Sequence, residues 1–395
     1  MSHGDLVPGR ADITLEGWQS EPQLRWSFQH VAEMFPTATI AAADRPTGLP
    51  ERPADLEHLR VRHPLTGAEE TVRGVMDASD TDAWAVLHQG HLAREHYQRG
   101  MSPSSQHLLM SVSKSMVGAV AAALVDRGVL AVDEQVTHYV PALAGTGYAG
   151  ATVRHVLDMR SGIRFSEEYT DPDAEVRLLE QAIGWAPRQH DAVPDSMYGF
   201  LATLTRAREH GGTFEYRSCE TDVLGWVCES AAGARMSGLL ADLVWRPMGA
   251  EFAASLAVDR EGSGMFDGGI SAALRDLLRF GALWLGDGTA LDGTQVISPT
   301  WVEETLGGDV DSGAAFAGSK DAPWMPGGMY RNQMWFPSPR RDTLVCLGIH
   351  GQMVYVNRTA GVVAAKLSSW PDPQDPGKLF STLAAFDAVA TALGG

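Results

Sequence analysis

Ser111 and Lys114 stand three residues apart in the run Ser111-Val112-Ser113-Lys114, a spacing that puts a hydroxyl and an amine on one face of a helix. The chain has only four lysines, Lys114, Lys320, Lys366 and Lys378, and arginine supplies nearly all other positive charge. Arginine keeps its proton in any protein site, whereas a buried lysine can release one. A serine hydroxyl attacks poorly until a neighbouring base takes its proton. The pair therefore predicts acyl transfer through a serine, with Lys114 as a titratable base. The bland alternative is a solvated lysine near a helix start. Against it, a lysine set among Met110, Val112, Met116 and Val117 has to be paired or functional.

The element that must position the pair is a helix from Ser113 to Arg127, apolar almost all round and stopped at Gly128. Ser111 then falls at or just before its N-terminus, where free N–H groups and the helix dipole favour developing negative charge. Upstream, Ala83 to Tyr97 reads as two strands joined at Gln89-Gly90, a β-hairpin. Further helices are expected over Trp26 to Met34, Thr152 to Met159, Ala174 to Ile183, Ser196 to Arg206, Thr221 to Ala232 and Met236 to Val244. Strand patterns return at Thr343 to Ile349, Met353 to Val356 and Gly361 to Leu367, before a closing helix from Leu379 to Leu393. Strands on both sides of a helical middle predict one antiparallel sheet built from both ends of the chain. The expected organisation is an α/β (α+β) sheet domain from 1–108 and 250–395 with an inserted, mostly helical domain at 109–249. The first eighty or so residues, polar and rich in Pro, Arg and Asp, are expected to wrap its surface.

Composition narrows the function. The 395 residues carry a formal net charge of -18, with 44% hydrophobic and 20% charged residues, an ordinary globular balance. Such acidity argues against nucleic acid or an anionic membrane as partner. It favours a small neutral or cationic substrate. Three cysteines, Cys219, Cys228 and Cys346, cannot form a fully paired framework and suit a reducing compartment. No secretory leader and no run long enough to span a membrane is read in the sequence, so a cytoplasmic location is expected. His88, His91 and His96 lack the convergent third ligand and helix motif of a zinc site, so no metal is expected. No Gly-x-Gly-x-x-Gly or Walker-type loop is present, and no cofactor is expected.

Read together, the segments resemble the serine β-lactamase and penicillin-recognising superfamily, in its class C and esterase-like branch. His107-Leu108-Leu109-Met110-Ser111-Val112-Ser113-Lys114-Ser115 is similar to its nucleophile segment, and Phe214-Glu215-Tyr216-Arg217-Ser218 to its second motif, Tyr-x-Asn or Tyr-x-Ser. Longer phrases, Trp26-Ser27-Phe28-Gln29-His30, Gly348-Ile349-His350-Gly351-Gln352 and Lys366-Leu367-Ser368-Ser369-Trp370-Pro371-Asp372-Pro373, resemble the 6-aminohexanoate-dimer (nylon-oligomer) hydrolases within it. The family's third motif, Lys-Thr-Gly, is replaced by Cys346-Leu347-Gly348-Ile349-His350-Gly351. The basic residue that grips a β-lactam carboxylate is therefore missing, which puts lactamase activity in doubt.

The resemblance implies roles. Ser111 would be acylated, Lys114 would take its proton or hold it electrostatically, and Tyr216 would relay a proton to the leaving group. Ser111 N–H and Ile349 N–H would form the oxyanion hole, and His350 would be a structural residue of its strand. Tyr169, Glu180, Trp185, Asp267 and Trp335 would bind substrate: Trp185 and Trp335 over a methylene chain, Glu180 and Asp267 toward a substrate ammonium. The expected function is hydrolysis of linear 6-aminohexanoate amides with short-chain esterase activity, the protein being allowed as a homodimer. The alternatives are a carboxylesterase or D-amino-acid amidase of the same fold, and a binding protein without turnover.

Overall fold

The computed structural model describes residues 9–395. Its centre is a seven-stranded antiparallel sheet in the order His91–Tyr97, Thr81–His88, Val362–Ser368, Gln352–Asn357, Thr343–Gly348, Met334–Phe336, Met329–Arg331. Thr81–His88 pairs directly with Val362–Ser368, so the sheet is assembled from both ends of the chain, as the sequence implied. Side chains alternate between two cores. Ala83, Ala85, Leu87, Cys346, Val354 and Val363 turn toward Met116, Leu277 and Phe280. Trp84, Val86, Val345, Met353, Tyr355 and Ala364 turn toward Phe386 and Val389 of the closing helix, Pro376–Gly394. A sheet covered on both faces reads as nearly unbroken apolar runs, and the strand pattern at 343–367 was legible for that reason. At the hairpin, Gln89 (φ 49°) and Gly90 (φ 77°) are both left-handed, the geometry of a two-residue turn that matches strand twist.

A second, four-stranded sheet was not anticipated. It runs Thr37–Ile40, Ala254–Ala257, Ile270–Ala273, Gln106–Leu108. Strands of three or four residues offer too few alternations to register as a pattern, and two of these four are buried at every position. Part of the N-terminal segment is thus structural, since Thr37–Ile40 pairs with Ala254–Ala257 and Trp18 is buried in the core.

The helices differ from expectation mainly at their ends. Trp26 to Met34 is two short helices, Leu24–Gln29 and Val31–Met34, broken at His30. Ser196 to Arg206 shrinks to Met197–Leu201, because residues beyond it pair instead with 163–164, Arg164 N–H donating to the Thr205 carbonyl. Ser218–Ala232 begins three residues earlier than expected. Met236–Leu240 passes into a wider π-turn over Ala241–Trp245. The helix after Ser111, Val112–Asp126, ends as expected, with Gly128 left-handed and Val129 N–H closing on the Leu124 carbonyl. All three cysteines are buried, free thiols. No helix among the described residues is long and apolar enough to cross a membrane.

The helix Ser218–Ala232 is seated through Gly225, where an added Cβ would lie 2.2 Å from Cδ2 of the fully buried Phe266. Gly225→Ala is therefore expected to destabilise by about 1–3 kcal/mol, the usual cost of overpacking. Urea denaturation measures it, and adding Phe266→Leu should restore part of the loss.

Candidate active site

The strand Gln106–Leu108 and the helix Val112–Asp126 are joined by a sharp turn at Met110, a left-handed residue (φ 47°) with no glycine's freedom. Leu109 N–H donates to the Ile270 carbonyl, which ties the turn to the second sheet. Ser111 follows as the helix N-cap. It keeps 9% exposure while Val112 and Ser113 are fully buried, so its hydroxyl meets the cleft. From the other side the end of Thr343–Gly348 closes in, and a Cβ on Gly348 would lie 2.5 Å from the Leu109 carbonyl oxygen. Only glycine permits that approach, which brings Ile349 to the same cleft.

Lys114 is 1% exposed, and its ammonium donates to Ser111 Oγ at 2.8 Å, Ser218 Oγ at 3.1 Å and the Asp267 carbonyl at 2.9 Å. Three N–H bonds thus meet three acceptors. Asp267 Oδ2 stands 3.6 Å from Nζ, and Nζ lies 5.1 Å from the centre of the Tyr216 ring. Ser218 is itself held by Glu167, to which its Oγ donates at 2.6 Å and its N–H at 2.9 Å. Tyr169 OH donates to the same carboxylate at 2.6 Å.

The electrostatics of Lys114 are set by its partners as much as by its burial. Burial alone would lower the proton affinity of Lys114, but Tyr216, Asp267, Glu167 and Asp222 outweigh it and its pKa is raised. Its close acidic partners thus favour the protonated form of Lys114, where burial alone would favour the neutral one. Tyr216 is pushed up by burial, against the opposing pull of the Lys114 charge and hydrogen bonding to Ser111. Glu167 is raised by burial against the same ammonium. Asp222 is raised well above the usual range, first by burial and then by the Asp267 charge, although it accepts the Phe266 and Asp267 N–H groups at 3.0 and 3.1 Å.

Ser111, Tyr216, Tyr169, Glu167, Trp335 and Ile349 all line one cleft of about 220 Å³. Trp335 packs on Tyr216 with ring centres 5.1 Å apart. Trp185 does not join it there. That indole is buried against Trp18 (4.9 Å) and Phe35 (5.6 Å) and lines a second cleft of about 450 Å³ with Glu180 and Trp18, sharing Tyr169 with the first. The expected pair of tryptophans over one methylene chain is thus split between two clefts. Nor are the expected ammonium readers free. Glu180 accepts Arg177 Nη1 at 2.7 Å and Gln19 Nε2 at 2.9 Å, and Asp267 faces Lys114. His350 is structural, as expected: its Nδ1 lies 2.7 Å from the Trp370 carbonyl, and burial lowers it to about 4. Among the described residues no group of three His, Cys, Asp or Glu side chains could hold a metal ion.

The sequence reading missed the parts played by Glu167 and by Asp222. Glu167 belongs to no short motif. Asp222 had a usable signal, an acid among Cys219, Val223, Leu224 and Val227 on a buried helix, where a charge needs a partner.

A second buried lysine provides the contrast. Lys366 donates to the Ser79 carbonyl (3.2 Å) and to Ser368 Oγ, with no carboxylate among the described residues in contact, and burial lowers it to about 7. With four lysines, a ¹³C-lysine NMR titration resolves both: Lys366 should titrate near neutrality, while Lys114 stays charged through the alkaline range. The unfolded chain holds the Lys366 proton up to the ordinary 10.5, so stability should rise with pH between about 7 and 10.5. Lys366→Met should flatten that rise.

Comparison with known proteins gives the family. The Beta-lactamase family model matches residues 68–386. The 6-aminohexanoate-dimer hydrolase of Paenarthrobacter ureafaciens is 38% identical over 402 residues, covering 98% of each chain. Among solved structures, a Bacillus anthracis protein provisionally named 6-aminohexanoate-dimer hydrolase superposes with a TM-score of 0.89 at 24% identity over 98% of both chains. A family VIII carboxylesterase does so at 0.60 and 15% identity, over 80% of this chain and 96% of its own. With a family match across most of its length and a relative alike from end to end, the chain belongs to the β-lactamase family.

Proposed function

We propose that this β-lactamase-family hydrolase cleaves the amide bond of linear 6-aminohexanoate oligomers and similar ω-amino amides through an acyl-serine, with short-chain carboxylic esters as second substrates. The observation that carries the reading is the 2.8 Å contact of Lys114 Nζ with Ser111 Oγ at the wall of an open cleft. The end-to-end likeness to a 6-aminohexanoate-dimer hydrolase supports the choice of substrate.

Ser111 Oγ adds to the scissile carbonyl as its proton passes to the Tyr216 oxygen while the phenol hands its own proton to the leaving nitrogen, so that Tyr216 is neutral before and after the step. Lys114 stays charged throughout; its field stabilises the anionic forms of both hydroxyls and so lowers the cost of that transfer. The oxyanion is met by the N–H groups of Ser111 and Ile349, the former at a helix start where the dipole adds to the attraction. The C–N bond breaks as the protonated amine departs, the acyl-serine remains, and water attacks it with its proton relayed through Tyr216 to Ser111 Oγ. Tyr169 and Trp335 flank the substrate on the cleft wall.

Brief mixing with a slow ester or with the aminohexanoate dimer, followed by mass spectrometry, should find the acyl mass on the peptide containing Ser111 and lose it in Ser111→Ala. Turnover with that peptide unmodified would overturn the reading. Tyr216→Phe should lower kcat by about 10²–10⁴-fold, the span of a lost proton-transfer group.

A further inference from the structure

Of the two carboxylates expected to meet a substrate cation, Glu180 is engaged by Arg177 and Gln19, and Asp267, whose Oδ2 faces Lys114 and whose Oδ1 has no partner, does not line the Ser111 cleft. One acid that does line it is not engaged. Among the described residues, the buried side-chain nitrogens and oxygens without a hydrogen-bond partner include a single one on a residue lining that cleft, Asp321 Oδ2. The backbone around it is committed: Asp321 N–H donates to Ser319 Oγ at 3.3 Å, and its carbonyl accepts from Trp324 N–H at 3.0 Å and Met325 N–H at 3.2 Å. The loop is therefore fixed while the carboxyl is left wanting. Burial pushes its pKa up, with Lys320 pulling only partly back. Lys320 is exposed and leaves Oδ2 unpaired.

A carboxyl oxygen withdrawn from water without a partner costs free energy that an incoming donor would recover. The cleft that Asp321 shares with Ser111 is otherwise walled largely by apolar side chains, Trp335, Met325, Met353 and Phe380 among them. An apolar wall with one unsatisfied acid matches a methylene chain that ends in a cation. Resting on the acyl-serine reading above, we propose that Asp321 recognises the ammonium end of the acyl chain, so that the preferred acyl group is an ω-ammonio acyl and not its neutral or anionic counterpart. Asp321 is in this sense a specificity residue; the bond-making steps do not pass through it.

Three p-nitroanilides of matched length test this: 6-aminohexanoyl, hexanoyl, and the carboxylate-ended adipoyl. The wild-type protein should favour the first in kcat/KM, mostly through KM. Asp321→Asn should cut kcat/KM for the aminohexanoyl substrate about tenfold, the worth of one partly buried charge pair, and leave hexanoyl turnover within about twofold. Asp321→Ala should show the same pattern, and unchanged hexanoyl turnover reports a folded protein in either variant. Equal losses on both substrates, no loss on either, or a wild-type preference for the adipoyl substrate would overturn the assignment. Labelling of Ser111 by a fluorophosphonate separates the two levels. If Ser111 labels and the anilides turn over without discrimination, only the role of Asp321 falls. If Ser111 does not label and no anilide is cleaved, the acyl-serine reading falls and takes this inference with it.

Discussion

The constraint on which the rest of the structure depends is the burial of one ammonium group. Removing a cation from water costs several kcal/mol unless close partners replace the lost hydration. Lys114 finds them in four separate stretches: Ser111 on its own helix, Ser218 on the next motif's helix, the carbonyl and carboxylate of Asp267, and Glu167 behind Ser218. No two of these stretches are neighbours in sequence except Ser111 and Lys114. The fold has to deliver all of them within a few ångströms, and both sheets serve that delivery. The four-stranded sheet fixes the turn before Ser111 through Ile270. The seven-stranded sheet brings Gly348 and Ile349 against it.

That dependence explains what could be read in advance. Local signals were legible: the Ser111–Lys114 spacing, the Gln89-Gly90 turn, the buried helix and its stop at Gly128. The two-faced burial of the large sheet was legible too, since it leaves long apolar runs. Interactions that close over a hundred residues left little trace. Ser218 was visible as a flank of Tyr216, but that Lys114 would donate to it across 104 positions follows only from the closed fold. The same holds for charge. Sequence shows that Lys114 is buried among apolar neighbours, which predicts a lowered pKa. The acids that reverse the sign come from elements packed against it.

The two clefts reflect a similar distinction. Trp185, Glu180 and Tyr169 come from one short region, 169–185, and the family resemblance implied a part in substrate binding for all three. In the fold Tyr169 stands where the two clefts meet, with Trp185 and Glu180 in the second alone. Trp185 packs with Trp18 and Phe35 from the N-terminal segment, and Trp18 Nε1 donates to the Trp185 carbonyl at 2.8 Å. The segment expected only to wrap the surface therefore supplies the inner wall of the second cleft.

Met110 carries a last consequence. A side-chain-bearing residue held at φ 47° stores strain that glycine at the same point would not. Yet glycine would also loosen the unfolded chain and the turn itself, and Met110 Cβ is one of the atoms against which Gly348 is fitted, 3.2 Å from where a Cβ on that glycine would stand. Position 110 thus joins rigidity around the Ser111 hydroxyl to conformational tension in the backbone. Laboratory or natural variation that relaxed the one would surrender the other, so thermal robustness in this protein has to be sought elsewhere in the chain.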